Sequence, residues 1–592
     1  MTVLSNIITP SNVLTTTNTA TVTNKTLTSP TITGTGTIAA ATLSLTSTLS
    51  ATGAGSIEGL TVGKGAGAVA TNTAVGASAL AANTTGANNT GLGNSALISN
   101  TTGNRNSSVG RSALGSATTG SDNSALGYFA LQSTSTGANN TAVGVSALQE
   151  NTTASNNTAV GYQAAYSNNT ASDITVFGSQ AGYSTVAGGN YLTAMGVHAG
   201  YSNTTGEANS AFGRYSLDQN TTGGQLSAFG ANALRANTSG SNNVAMGADA
   251  LRFNTTASNN TAVGYQAGYT GTTAANNAWV GYQAGKLCTG NYNTGMGDRA
   301  LAALASAEKN SAFGMAALIN NTTASNNTGI GSSALENNTT GGNNTAVGLQ
   351  ALQANTTGSL STAVGYQAGY SSNFTSGNAF NVFLGDRAGY TTTTGSSNTF
   401  VGSAAGYDQT TGTLNTFVGG SSGNNMTTGS KNTIIGRYSG NQSYLGDIRT
   451  LSNHIVLSDG DGVTGFWINA SGRPFLPGLG SDAGTNTVKF NTGTSRLSYD
   501  TSSARYKDNI RDSVYGLSHV MQMRSAQFEY KEGGRSDVGL IAEELQPIVP
   551  ELVGVNKEGQ ADSVSYDRMV SVLVKAIQEL KAEFDAYKLT HP

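Results

Sequence analysis

A serine five residues ahead of a lysine stands in the stretch Ser502-Ser503-Ala504-Arg505-Tyr506-Lys507-Asp508-Asn509-Ile510. A serine hydroxyl attacks a carbonyl only when a base removes its proton, and a lysine is such a base only where desolvation or a neighbouring cation lowers its pKa. Arg505, two residues from Lys507, is a candidate for that cation, and the two can equally share a solvated face as a strand-spaced pair. The spacing is common in proteins and by itself assigns no role. Other chemistry-bearing residues are sparse. The four histidines, His198, His454, His519 and His591, are scattered without ligand spacing, so neither a metal site nor a cofactor is expected. The Gly-rich stretches lack the Gly-Lys-Ser/Thr ending that cradles phosphate, and no carboxylate pair stands out as glycosidase machinery. Asp459-Gly460-Asp461-Gly462 lacks the rest of a calcium ligand set and reads as a turn. The single cysteine, Cys288, excludes an intrachain disulfide and reads as a small, semi-buried residue.

The framework around these residues is set by composition. Charged residues make up 10% of 592, glycine supplies 78 positions, proline only 7, and the formal net charge is −3. That balance gives no electrostatic grip on nucleic acid or anionic lipid, and neither is expected as a partner. Regular Val, Ile, Leu and Phe separate the chain from disordered sequences, which are rich in charge and proline. The first twenty residues lack a basic segment followed by an apolar core, and no stretch approaches the ~18 apolar residues of a membrane span. Synthesis in a cytoplasm, without standard export or membrane insertion, is the expectation. Asn-x-Thr sequons such as Asn83-Thr84-Thr85 are by-products of an Asn/Thr-rich repeat.

That repeat organises the middle of the chain. Its unit reads roughly Asn-Asn-Thr-Ala-Val-Gly-Tyr-Gln-Ala-Leu with a polar tail. Registered on the Gly after the apolar residue, it runs from Gly76 to Gly436 with 21 intervals, of which 18 are 17 residues and the others 18, 16 and 20. Seventeen residues are too few for a helix pair and show no 3.6-residue stripe, so each copy is expected to be a short β-coil of a parallel β-solenoid. Strand alternation sends Val143 and Val145 to one face and Ala142 and Gly144 to the other. The expectation is that the bulkier face fills the coil while the smaller one lets another backbone approach. Thr-Thr-Gly and Ser-Asn-Asn segments supply turns, and stacked Asn and Thr can form hydrogen-bonded ladders. Tyr162, Tyr265, Tyr282 and Tyr366, which follow registered glycines, are read as packing residues rather than sugar-stacking platforms. The repeat resembles the Asn-Ser-x-Ala-Ile-Gly units of β-roll heads in trimeric autotransporter adhesins and Gly-rich repeats of phage tail fibres. Upstream, Asn24-Lys25-Thr26-Leu27-Thr28-Ser29-Pro30-Thr31-Ile32 looks like a motif common in phage tail-fibre shafts.

From Ser502 glycine and threonine thin out, charge rises and helical patterning appears. The Ser502 stretch is followed by Val538-Gly539-Leu540-Ile541-Ala542-Glu543-Glu544-Leu545-Gln546, Pro550-Glu551-Leu552-Val553, Val564-Ser565-Tyr566, and Leu573 to Leu580. In order and spacing, residues 502–592 closely resemble the endosialidase-type intramolecular chaperone, a self-cleaving Ser-Lys peptidase domain at the C-terminus of phage tail spikes and fibres. The resemblance implies cleavage between Thr501 and Ser502, with Ser502 as nucleophile and Lys507 as general base. No external substrate is implied. Many members carry Asp after the serine, where this chain has Ser503. Val570, Leu573, Ile577, Leu580, Phe584 and Tyr587 follow steps of 3, 4, 3, 4 and 3, a heptad seam that buries itself against partner helices or, alternatively, against its own domain.

The sequence thus predicts a mainly β homotrimer. Its expected parts are a β-rich N-terminal shaft or particle-attachment region (1–70), the solenoid or β-roll (71–440), a β neck (441–501), and a small α+β chaperone and autoprotease domain ending in a coiled-coil helix (502–592). The expected function is that of a phage tail fibre or spike, a virion protein assembled in the host cytoplasm. Its N-terminal region would join the tail or baseplate, and the fibre would bind a host cell-surface glycan or protein. A bacterial trimeric adhesin and a polysaccharide-degrading tailspike are the alternatives.

Overall fold

The computed structural model describes residues 55–57, 60–186, 188–374, 377–442, 446–475, 488–491, 496–499, 508–531, 534, 536–556 and 558–591. The N-terminal motif at 24–32 therefore lies outside the described residues. The chain divides into two compact units, residues 1–479 and 480–592.

The first unit is a parallel β-solenoid. Twenty-two three-residue strands, β3 (Thr73–Val75) through β24 (Thr433–Ile435), pair each with the next in parallel. At ~4.8 Å per rung the ladder is on the order of 100 Å long. Pairing keeps the 17-residue register, as in Ala125↔Ala142 and Ala142↔Ala159. The irregular intervals do not disturb it: Thr175 pairs Thr193, Ala278 pairs Thr294 and Thr362 pairs Val382. Extra or missing residues are thus absorbed in the turns. Outside the strand the coils still exchange backbone bonds, for example Leu148 N–H to Ala164 at 2.9 Å and Gln163 N–H to Val145 at 2.9 Å. Such bonds hold non-glycine residues such as Ser146 (φ 58°) and Leu148 (φ 49°) in the left-handed region, a cost of about 1–3 kcal/mol each when the surroundings over-determine it.

The facing of the strand is the reverse of the sequence expectation. Ala142 is fully buried, Val143 is half-buried and Val145 is 43% exposed. The lumen is too narrow for a row of β-branched side chains beside the buried Ala147–Leu148 pair, so the small strand residue points inward. Close backbone approach does occur, but at the registered glycine. A Cβ on Gly144 would lie 2.3 Å from the Gly161 carbonyl oxygen of the next coil.

Volume inside the coil is conserved by exchange. Where the strand centre is Ala142, the residue four past the registered glycine is Leu148; where it is Phe383, Phe400 or Phe417, that residue is Gly389, Gly406 or Gly423. A Cβ on Gly406 would sit 2.6 Å from the Phe400 ring, and one on Gly285 2.3 Å from Trp279. Two buried Asn ladders close the corners. In one, Asn106 N–H donates to Asn89 Oδ1 at 2.9 Å and Asn106 Nδ2 to Gly120 O at 2.9 Å. In the other, Nδ2 of Asn220, Asn237 and Asn254 donates to Oδ1 of the preceding rung at 2.7–2.8 Å. Three unpartnered ladder oxygens fall where the next rung lacks an amide: Asn100 precedes Ala117, Asn254 precedes Gly271 and Gln409 precedes Met426; the unpartnered Asn151 Oδ1, which precedes Asn168, does not follow this rule. Cys288 is a fully buried rung, its thiol donating to Gly290 O at 3.3 Å, and burial pushes its pKa up to about 12.

Antiparallel strands close both ends of the ladder, which limits its open edges. At the start, β1 (Gly55–Ile57) and β2 (Leu60–Gly63) form a hairpin, and β2 pairs with β3. At the far end β25 (Ile455–Ser458) continues the parallel ladder, then β26 (Thr464–Ile468) and β27 (Pro474–Phe475) turn back. The Asp459 carboxylate accepts the N–H groups of Asp461 and Val463, making the Asp-Gly-Asp-Gly segment the β25–β26 turn.

The second unit contains three two-stranded antiparallel pairs: β28 (Val488–Asn491) with β29 (Arg496–Tyr499), β30 (Ala526–Glu529) with β31 (Ser536–Gly539), and β32 (Val553–Val555) with β33 (Ala561–Val564). Its described residues also include two one-turn helices, α1 (Leu517–Val520) and α2 (Ala542–Leu545), a 3-10 turn at Pro550–Leu552, and a 25-residue helix, α3 (Tyr566–Thr590).

Candidate functional site

The separate C-terminal motifs converge. Leu545, Val549, Leu552 and Val572 form a buried cluster onto which Leu540, Val553 and Val564 pack. The Tyr566 hydroxyl accepts the Leu540 N–H at 2.7 Å, so the start of α3 is tied to the segment after β31. Further along α3, the Glu579 carboxylate accepts the Leu517 N–H at 2.7 Å and fixes the start of α1. A hydrogen bond to the Glu551 carboxylate raises the Tyr515 pKa. These contacts join residues far apart in sequence into one small core.

Thr501, Ser502, Arg505 and Lys507 lie outside the described residues. The described part of the unit supplies the scaffold directly downstream of that Ser-Lys stretch.

Helix α3 uses only one narrow face for its own domain. Val572 and Ala576 are its buried residues, while Val570, Leu573, Ile577, Leu580, Phe584 and Tyr587 are between 38% and 63% exposed. The heptad seam is therefore not consumed by intradomain packing. No helix among the described residues is long and apolar enough to cross a membrane.

The inverted strand facing opens a second apolar surface, which the sequence expectation places inside the coil. The residue before each registered glycine points outward. Leu92, Leu126, Phe177, Met195, Met246 and Ile330 are exposed members of this row, which repeats at every rung. The signal was present: the inward position is mostly Ala or Gly, whereas the outward one varies among Val, Leu, Phe, Met and Ile. A closed, narrow lumen enforces uniform size, and an outer face does not. Tyr162, Tyr265, Tyr282 and Tyr366, after the registered glycine, are likewise about half exposed, and the Tyr265 and Tyr282 rings stack on each other at 5.6 Å.

Among the described residues no group of three or more His, Cys, Asp or Glu side chains converges. Residues 502–554 match the family described as chaperone of endosialidase. No curated protein and no solved structure matches the chain. A chaperone-of-endosialidase segment behind a parallel β-solenoid of about 21 turns fits the architecture of a phage tail fibre or tailspike.

Proposed function

We propose that this chain is the subunit of a homotrimeric, host-binding phage tail fibre, and that its C-terminal unit aligns the three chains and is then cut away. The observation that carries the reading is the seam of α3, six apolar residues in heptad spacing that their own domain leaves uncovered. The outward row of the solenoid supports it. Monomeric proteins rarely expose contiguous apolar patches beyond a few hundred Å². A strip one side chain wide along roughly 100 Å of ladder offers on the order of 1,000 Å², above the ~800 Å² per partner of an ordinary stable interface.

Scission follows from the Ser-Lys pair. Lys507 Nζ takes the Ser502 Oγ proton, and Oγ attacks the Thr501 carbonyl carbon. The amide nitrogen leaves as the protonated amine of Ser502, giving an ester between Thr501 and Ser502. Water then hydrolyses that ester to a Thr501 carboxylate and a free Ser502 hydroxyl. Removing the aligning unit makes assembly effectively irreversible and leaves a kinetically trapped fibre. The N-terminal region attaches to the tail or baseplate of the virion, and the solenoid meets a glycan or protein on the host.

Denaturing electrophoresis with and without boiling, together with intact mass, tests both steps. Expected are a boiling-sensitive trimer and fragments ending at Thr501 and beginning at Ser502. A full-length chain running as a monomer in both lanes would remove the reading.

A further inference from the structure

Around each coil the strand and the buried Asn positions largely repeat in kind, while the positions one, two and five residues past the registered glycine do not. Over residues 163–286 the columns two and five past the glycine carry tyrosines, charges and glutamines, as they do again over 350–407 with Gln350, Gln353, Gln367, Tyr370, Arg387, Tyr390 and Tyr407. The residue two past the glycine has positive φ, as in His198 (φ 58°) and Tyr215 (φ 59°), so the columns follow the turn that ends the strand. They follow the outward apolar row in each coil and are half-buried at Tyr201, Tyr215, Asp218 and Arg235.

At the centre of this face the side chains interlock. The His198 ring stacks on Tyr201 at 4.7 Å and meets Tyr215 edge-on at 5.2 Å. Tyr201 continues a stack through Tyr183 to Tyr166, with centroids 5.0 and 5.1 Å apart. The guanidinium groups of Arg214 and Arg235 lie over the Tyr215 ring at 4.7 and 4.8 Å. Asp218 holds Arg235 at 3.5 Å and His198 Nδ1 at 3.6 Å, with its own side chain only 13% exposed. Arg214 is exposed. Along these columns Arg235, Arg252 and Lys286 outnumber Asp218 and Asp249, and Arg214, one residue past Gly213, adds a fourth cation beside them, within a chain of net charge −3.

We propose that this face, centred on His198, Tyr201, Arg214, Tyr215, Asp218 and Arg235, is the receptor site and takes a carboxylate-bearing saccharide. Planar groups locked by stacking lose little freedom on binding, and Tyr and Arg dominate the energetics of such contacts. A guanidinium matches a sugar carboxylate in bidentate geometry, Asp218 and the tyrosine hydroxyls serve the sugar hydroxyls, and ring edges meet its apolar faces. Three chains present three copies, which raises avidity. The site rests on the attachment reading given above.

The test titrates the purified full-length fibre, its mass checked by sedimentation, with oligogalacturonate and with neutral maltooligosaccharide. The variants are Arg214→Gln and, as a distant control, Arg105→Gln. Expected is binding of the acidic oligosaccharide that weakens with salt and falls about tenfold or more in Arg214→Gln, with unchanged melting and no effect of Arg105→Gln. The proposal is overturned if an intact trimer fails to bind oligogalacturonate, binds the neutral sugar equally, or is unaffected by Arg214→Gln. A monomer that still binds through Arg214 would keep the site and remove the fibre reading.

Discussion

The solenoid and the C-terminal unit solve opposite problems. Each coil passes its backbone bonds, amide ladder and core side chains to the next, so stability accumulates rung by rung. The same periodicity makes position ambiguous. Sliding one solenoid past another by one coil sets apolar against apolar and, at most rungs, Thr or Ser against Thr or Ser again, so the repeat specifies poorly which coils of neighbouring chains would belong together. Among its described residues the C-terminal unit buries little, its sequence carries no 17-residue repeat, and α3 leaves its seam open. On the proposed trimer reading, stability lies in the periodic part and register between chains in the aperiodic one.

The largest expected effect breaks the aperiodic part. Leu573→Asp with Ile577→Asp puts charge into the α3 seam while sparing Val572 and Ala576, and the trimer fraction should fall to roughly a tenth or less, read by sedimentation. Ser502→Ala or Lys507→Ala should abolish scission while leaving a trimer of uncut chains, seen by intact mass. Cleavage in either purified variant would take that residue out of the mechanism.

Changes within the solenoid should cost stability without altering chain number. Phe400→Ala should cost about 3–5 kcal/mol by opening a cavity. Gly406→Ala should also destabilise, by about 1–3 kcal/mol, because its Cβ meets that same ring. Joining the two should recover part of the loss in a double-mutant cycle of melting data, since the new methyl occupies some of the vacated space. Next in size is Asn237→Ala, which removes the middle of an intact ladder and should cost about 1–3 kcal/mol. Asn100→Ala should cost less, because its Oδ1 already lacks a donor.

The smallest effect concerns the far cap. His454 occupies an Asn-ladder rung, its N–H bonded to Asn432 Oδ1 at 2.9 Å, and burial lowers its pKa. The folded state thus favours the neutral ring, so its stabilising effect is present above the unfolded histidine pKa of about 6.5 and fades as pH falls from there through the lower folded value. Trp467, whose ring is parallel to that of His454 at 6.1 Å, should report this as an acid-side drop in melting temperature that His454→Asn flattens.

How far the sequence revealed this molecule follows from where its information is periodic. The 17-residue step and the registered glycine are legible because every coil states them again. Inside and outside were inverted at Ala142, Val143 and Val145 because alternation fixes only that neighbours differ, and lumen width, a tertiary quantity, decides which one is buried. The exchange of Ala142 and Leu148 for Phe400 and Gly406 lay in the sequence but became meaningful only once the two positions were seen to face each other. In the C-terminal unit the motif order predicted elements that do pack together, and the heptad steps picked out residues that stay exposed on a single chain.

Sedimentation equilibrium of the intact protein, with its Leu573→Asp/Ile577→Asp variant beside it, addresses most directly whether the C-terminal helix joins three chains. A mass of three chains for the wild type and one for the variant is the expected result. A folded wild-type monomer, or a variant trimer as stable as the wild type, would contradict it.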